Sequence, residues 1–150
     1  MAQYLLIGNG IAANSAGARI RDREPDAKIT IVSDEPEPYF SRCALMYYAM
    51  DHCKKWDIYL HQGKHHDDLG AQLIYDTVVS VDSSASTVQL QDRGALGYDK
   101  LLIASGGIGR NLGVPGEDAA GVTNFNTLPD AEVVMARMGR PSTASSSAAG

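Results

Sequence analysis

"YLLIGNGIAANSAG", residues 4–17, decides the fold, because it leads an apolar run into two closely spaced glycines and then into small residues. Tyr4–Ile7 has the length and apolar character of a buried strand. Ile11–Arg23 reads as a helix whose last turns carry arginines, which suit the negative end of the helix dipole. "KITIVS", Lys28–Ser33, is a continuous β-branched run, typical of a strand covered on both faces. Together these segments predict one βαβ unit.

The glycines belong to a G-x-G-x-x-A pattern formed by Gly8, Gly10 and Ala13. Gly8 permits a tight turn, Gly10 lets the backbone approach a pyrophosphate, and the small Ala13 lets the helix lie close to the strand. The anion would then sit on free N–H groups at the positive end of the helix. A purely structural turn also favours glycine, but the position between a strand and a helix favours dinucleotide binding.

Two acids, Asp34 and Glu35, follow the second predicted strand. A carboxylate there can accept hydrogen bonds from the hydroxyls of an adenosine ribose, although acids are also common in turns before proline. Position favours ribose binding by one of the pair, and Asp34 is nearer the strand. Arg42 is a fixed positive charge that could bind a phosphate, stack on adenine or form a surface salt bridge.

The stretch from Gln72 to Ser105 contains the short β-rich runs "QLIYD", "TVVSVD", "STVQLQD" and "YDKLLIAS", separated by the turn-like "SSAS" and "RGALG". We expect a small antiparallel meander followed by a last buried strand. The "ASGG" that ends this strand would let the backbone pass close to a ligand or to another loop. Ala131–Met138 could form a helix, and "GRPSTASSSAAG" is a low-complexity tail expected to be disordered.

Composition excludes several classes of function. The chain has 150 residues, 44% of them hydrophobic, and a net charge of -5 with no basic cluster, so nucleic acid is an unfavourable partner. No apolar run approaches the roughly 20 residues that span a bilayer. Because no secretory leader is recognisable and only two cysteines are present, a cytoplasmic location is expected.

Two groups of side chains suggest other chemistry. Cys43 could be a redox thiol, but a lone cysteine without a neighbouring partner in sequence is more often inert. His61, His65 and His66 suggest a metal site, yet adjacent histidines on a helix point about 100° apart, which suits a solvated face better. We therefore expect no metal.

Several of these motifs, in this order, resemble one known family. "LLIGNGIAANSAGARIRDREPDAKITIVSDEPEPYFSR" followed by "YDKLLIASGGIGRNLGVPGED" is similar to the N-terminal FAD-binding region of the pyridine nucleotide-disulfide oxidoreductase superfamily. The most similar branches are the ferredoxin and rubredoxin reductases, the nitrite reductase large subunit and the apoptosis-inducing-factor-like flavoproteins. The resemblance implies an α/β fold, a Rossmann-like three-layer β/β/α domain with a parallel sheet and a small antiparallel meander, here incomplete.

The resemblance also implies cofactor-binding residues. The turn residues would hold the FAD pyrophosphate, the acids the ribose, the meander strand the adenine, and the last strand would return to the cofactor. In chain order, the implied cofactor-binding residues are Gly8, Asn9, Gly10, Ile11, Ala12, Ala13, Asp34, Glu35, Arg42, Val78, Val79, Ala104, Ser105 and Gly106. Arg42 matches the arginine of the family's "PY-x-R" element.

The function implied is an FAD-dependent NAD(P)H oxidoreductase that passes electrons to a redox protein or a small-molecule acceptor. Residues 1–128 would form the first part of a discontinuous FAD domain, and residues 129–150 a short helix and the tail. The NAD(P)H site of the full-length parent is absent here, so the chain alone is not expected to complete turnover. The alternatives are a non-catalytic nucleotide-binding remnant and a thiol-dependent peroxidase, oxidase or disulfide reductase that uses Cys43.

Overall fold

The computed structural model describes residues 1–139. Its strands are β1 Gln3–Ile7, β2 Lys28–Ser33, β3 Ala71–Tyr75, β4 Val78–Asp82, β5 Thr87–Leu90, β6 Gly94–Gly97 and β7 Lys100–Ile103. Its α-helices are α1 Ile11–Arg23, α2 Leu45–Ala49, α3 His65–Leu69 and α4 Leu128–Arg137. The chain divides into two compact units: unit 1 comprises Met1–Phe40 and Leu60–Gly106, and unit 2 comprises Ser41–Tyr59 and the described residues from Gly107 onward.

Unit 1 contains the predicted βαβ unit, with α1 and β2 at the predicted bounds. β1 pairs in parallel with β2 and with β7, and β3 adds to the far side of β2, so that the strand order is β3-β2-β1-β7. Arg21 near the end of α1 donates hydrogen bonds to the carbonyls of Leu69 and Gly70, at 2.9 and 3.1 Å, and thereby joins α1 to the end of α3.

The parallel sheet is covered on both faces, because neighbouring residues of each strand point to opposite sides. One face packs with the helices in a cluster formed by Leu6, Ala13, Ala27, Ile29, Ile31 and Leu69. The other face packs with the meander in a cluster formed by Leu5, Val32, Ile74, Val88 and Leu90. The continuous apolar runs of β1 and β2 are therefore explained, and the predicted three-layer fold is confirmed.

The meander is an antiparallel sheet of three strands in the order β4-β5-β6. Two expectations about it were wrong. "QLIYD" lies outside it and forms β3, parallel to β2, because Leu73 and Ile74 contact the clusters on opposite faces of the large sheet. "RGALG", expected to be a turn, contains β6, whose pairing with β5 satisfies its backbone groups.

The last strand of unit 1, β7, is less buried than expected. It pairs only with β1 in the described sheet and lies at its edge, so Ile103 is 62% exposed. Its residues Leu101 and Leu102 are half-buried. A continuous apolar run predicted burial on both faces, but a position at the edge leaves part of such a strand uncovered.

Unit 2 is helical. Its most deeply buried side chains on α-helices are Leu45, Tyr48 and Ala49 of α2 and Leu128, Ala131 and Met135 of α4. α4 begins three residues before the predicted helix, because Thr127 and Asp130 form a capping box that satisfies the first N–H groups. Of the predicted tail, "GRPSTASSSAAG" at residues 139–150, all but the first residue lie outside the described residues. Within residues 1–139 no helix is long and apolar enough to cross a bilayer.

Ile31 tests the core of unit 1, because its side chain is 0% exposed between the sheet and the helices. Ile31→Ala should lower the free energy of unfolding by about 2–5 kcal/mol, from lost burial and the cavity left behind. Urea unfolding would measure it. The matched control is Ile108→Ala at a side chain that is 97% exposed, with an expected change within about 0.5 kcal/mol. Equal losses in the two variants would contradict this packing.

His66 on α3 gives unit 1 a dependence on pH. Burial, followed by the neighbouring charge of His65, lowers the pKa of His66 from 6.5 to about 4, against the opposing effect of Asp67. Between these values the unfolded chain binds a proton that the folded chain does not, so this site costs no stability above pH 6.5 and destabilises the fold as the pH falls toward 4.

The wild-type chain should therefore lose about 2–4 kcal/mol more unfolding free energy between pH 7 and pH 4 than a His66→Phe variant, which has no proton to bind there. Urea unfolding of both proteins at the two pH values measures the difference. The carboxylates that titrate in the same range are common to both proteins, so their contribution cancels in the comparison. Parallel losses in the two proteins would show that His66 is protonated as easily in the folded as in the unfolded chain.

Candidate functional site

The glycine turn lies at the carboxyl end of β1, in the middle of the parallel sheet. Gly8 has a φ of +107°, and a Cβ there would lie 2.2 Å from the carbonyl oxygen of Ala104. The amide of Gly8 donates to the Val32 carbonyl, and the amide of Ala104 donates to the Ile7 carbonyl, each at 2.8 Å. Only glycine fits at position 8, and its neighbour is the end of β7. The small residues after β7 therefore let that strand approach another loop of the same chain.

Gly10 differs from Gly8 in both conformation and surroundings. It is the N-cap of α1 with a φ of -86°, and its N-cap position has no side-chain hydrogen bond. Apart from Gly10, its chain neighbours and the adjoining helix backbone, no heavy atom of the described residues lies within 4 Å of the place where a Cβ would be. The first turn of α1 contains no acidic residue, so the helix begins with uncapped N–H groups beside open space. Open space beside this backbone is a requirement of the predicted anion site, and anion binding at this turn stays a prediction.

The three residues after Gly10 differ in their exposure to solvent. Ile11 is exposed and Ala12 is exposed, whereas Ala13 is fully buried and belongs to the cluster under the helices. The small side chain at position 13 thus packs α1 against the sheet, the role that the sequence pattern assigns to it. The backbone of the first turn remains available, and the core fixes its position.

Asn9, between the two glycines, is held by a network of hydrogen bonds inside unit 1. Its Nδ2 donates to the Glu37 carbonyl at 3.2 Å. Asn14 Nδ2 lies 3.0 Å from the carbonyl oxygen of Asn9, from Asn9 Oδ1 and from the Gly10 carbonyl. His66 Nε2 lies 2.8 Å from Asn9 Oδ1. The turn therefore has a second layer of polar side chains that fixes its shape.

Sequence reasoning missed Asn14 and His66 as parts of this site. Asn14 is 1% exposed in a helix of otherwise small and apolar buried residues, and such a buried amide is a signal that could have been used. His66 was considered only as one of three histidines. Its neighbour His65 also has a lowered pKa, because of burial and the charge of His61, with Asp68 acting in the opposite direction. Among residues 1–139 no group of three or more metal-ligating side chains has metal-binding geometry.

The two acids follow β2 at the same sheet edge as Gly8 and Ala104, because Ile7 pairs with both Val32 and Ile103. Asp34 is exposed and Glu35 is half-buried. The buried Ser33 fixes the backbone here, since its Oγ accepts a hydrogen bond from the Glu35 amide at 3.2 Å. The parallel sheet therefore places the turn and the acids together at the carboxyl ends of its strands.

The meander contributes Val78 and Val79 at the start of β4. Val78 packs against the core, Val79 is exposed, and an irregularity between Val78 and Ser80 interrupts the pairing with β5. Asp76, missed by sequence reasoning, joins this strand to the large sheet. Its amide donates to the Ser33 carbonyl at 2.9 Å, and its buried Oδ1 accepts from the amides of Thr77 and Asp92 at 2.7 and 3.2 Å.

The remaining predicted residues lie after β7 and in unit 2. Ser105 and Gly106 are exposed, and Gly106 has a φ of +72°. Arg42 belongs to unit 2, where its guanidinium donates to the Asn126 carbonyl at 2.7 Å. Cys43 is an exposed free thiol of the same unit. Unit 1 thus contains every predicted cofactor residue except Arg42.

Several known proteins are similar to this chain in sequence and in architecture. The sequence profile of the family described as "Pyridine nucleotide-disulphide oxidoreductase" matches residues 2–144. Nitrite reductase [NAD(P)H] of Bacillus subtilis is 32% identical over 89% of this chain and 17% of its own length. Rhodocoxin reductase of Rhodococcus erythropolis is 32% identical over 89% of this chain and 32% of its own length.

A solved structure supports the same relationship. A ferredoxin reductase from Rhodopseudomonas palustris superposes with a TM-score of 0.83 and 26% identity, over 93% of this chain and 35% of its own. The chain thus spans about a third or less of the length of these relatives. The resemblance inferred from the glycine turn and the strands around it is confirmed, and the chain belongs to the pyridine nucleotide-disulphide oxidoreductase family.

Proposed function

We propose that unit 1 binds FAD, with the cofactor's pyrophosphate on the turn from Gly8 to Ala13. The observation behind it is that Gly10 begins α1 without a side-chain cap and that open space lies where its Cβ would be. The turn thus offers backbone N–H groups and the positive end of a helix to an anion. The net charge of the chain is -5, so attraction must come from these local dipoles rather than from the whole molecule.

The other contacts follow from the order of the strands. The Asp34 carboxylate, with Glu35 beside it, would accept hydrogen bonds from the adenosine ribose, because β2 ends next to the turn. The backbone of Val78 and Val79 would meet the adenine. Residues 104–106 of unit 1 would pass close to the cofactor beyond β7.

We further propose that the whole protein is an FAD-dependent NAD(P)H oxidoreductase that serves a redox protein or a small-molecule acceptor. Flavin, when bound, supplies two-electron chemistry with the nicotinamide, and the protein supplies binding, orientation and electrostatics. This chain spans about a third or less of its relatives' length. We therefore assign cofactor binding to these residues and turnover to the whole protein. Two free thiols, Cys43 and Cys53, fit a reducing compartment such as the cytoplasm.

Gly10→Ala should weaken FAD binding by at least about tenfold, because the added methyl group occupies the space that the pyrophosphate needs. FAD fluorescence titration of the purified chain measures the affinity. Folding should be preserved, since the Cβ meets no neighbouring atom and φ is -86°. Gly97→Ala is the matched control, because its Cβ also meets nothing but lies on β6 in the meander. Equal affinity in Gly10→Ala and the control would contradict the proposed pyrophosphate position.

Asp34→Asn should weaken FAD binding by about tenfold, because the amide loses one acceptor and the charge that strengthens hydrogen bonds to ribose hydroxyls. The same titration measures the loss. Asp26→Asn provides an equal change of charge at an exposed residue in the loop before β2, at the opposite end of that strand, and should leave the affinity unchanged. If both variants lost the same affinity, the effect would come from net charge and not from a ribose contact.

A further inference from the structure

His66 and Asn9 meet across unit 1, although they lie 57 positions apart in the sequence. Asn9 Oδ1 can only accept hydrogen bonds, and the 2.8 Å contact with His66 Nε2 therefore requires a proton on that nitrogen. The orientation of the Asn9 amide is fixed independently, because its Nδ2 donates to the Glu37 carbonyl at 3.2 Å. A neutral His66 with its proton on Nε2 thus satisfies the contact. Its lowered pKa keeps this form at neutral pH.

The Asn9 side chain in turn controls the backbone beside Gly10. Asn14 Nδ2 lies 3.0 Å from both Asn9 Oδ1 and the Asn9 carbonyl oxygen, so one buried amide ties the side chain and the peptide group together. In a trans peptide the N–H points opposite to the carbonyl of the preceding residue. Because the Asn9 carbonyl faces the buried Asn14, the Gly10 N–H points away from Asn14. Fixing Asn9 therefore fixes the direction of the Gly10 N–H.

We propose that His66 is a positioning residue for the pyrophosphate turn, which holds Asn9 so that the Gly10 N–H and the start of α1 are ready for an anion. The inference rests on the proposed function, since it assigns the ligand to the same turn. His66 acts through Asn9 and needs no contact with the cofactor. α3, which carries His66, is held against α1 by the bonds from Arg21 to Leu69 and Gly70.

A role in packing alone is the competing explanation, because His66 is 6% exposed. Preorganisation and packing make different predictions for affinity. If His66 only fills space, Phe fills that space and leaves the turn and its ligand unaffected. If the hydrogen bond positions the turn, Phe breaks it and part of the binding energy is used to order the turn again.

The test is a double-mutant cycle on FAD affinity in the full 150-residue chain, with wild type, His66→Phe, Asn9→Ala and the double variant. His66→Phe should weaken binding by about tenfold in the wild-type background and by less than about twofold in the Asn9→Ala background. His66→Gln retains a donor and should recover most of the affinity. His65→Phe, the adjacent histidine without an Asn9 contact, should stay within about twofold of wild type.

Amide hydrogen exchange supplies a readout that does not depend on FAD. The Asn14 amide donates to the Gly10 carbonyl at 3.1 Å and reports the order of the turn. Its exchange should be faster in His66→Phe than in His65→Phe, by about tenfold. Equal exchange in these variants would overturn the inference, as would a loss of affinity of the same size with and without Asn9. Absence of FAD binding by the wild type would instead overturn the proposed function, and exchange would still decide the role of His66.

Discussion

The close approach of Gly8 to the Ala104 carbonyl is the constraint on which the rest of unit 1 depends. A Cβ at Gly8 would lie 2.2 Å from that oxygen, a distance at which one backbone would have to move away from the other. Without a side chain there, β1 and β7 end side by side, and β2 ends on the other side of β1. The turn, the acids and the small residues after β7 then lie together at the carboxyl ends of these strands. Gly8 is therefore a structural residue first, and Gly10 is the glycine that leaves room for a ligand.

A network of polar side chains lies behind the turn and connects Asn9 to α1 and α3 by hydrogen bonds. Turn backbone is costly to order, and uncapped helix N–H groups alone do not fix its shape. Asn9, Asn14 and His66 add constraints on this turn through partly buried hydrogen bonds inside unit 1. Asp76 does the same for the meander, because it joins the end of β2 to the strand that begins at Val78. Buried polar groups thus connect the layers where the apolar clusters end.

Local sequence patterns predicted where helices and strands begin and end better than they predicted which strands pair. The bounds of α1 and β2 followed from side-chain periodicity and from turn residues that are close in sequence. "QLIYD" was expected in the meander because it is one of several short β-rich runs in a stretch with turn-like segments, yet it forms a strand of the parallel sheet. A strand's partner depends on which of its faces are covered, and Leu73 and Ile74 contact opposite layers of the fold. Neighbouring apolar residues such as Leu73 and Ile74 are consistent with a strand covered on both faces, but they do not identify the strand with which it pairs.

The sequence by itself determined the glycine turn, the βαβ unit around it, the position of the acids and the family, because these depend on residue types at short and fixed spacings. Only the tertiary structure decided that Ala104 lies against Gly8, that β7 is an edge strand in the described sheet, and that the His66 ring contacts the Asn9 side chain. These contacts join residues distant in the chain, and side chains at such separations meet only after the layers have packed.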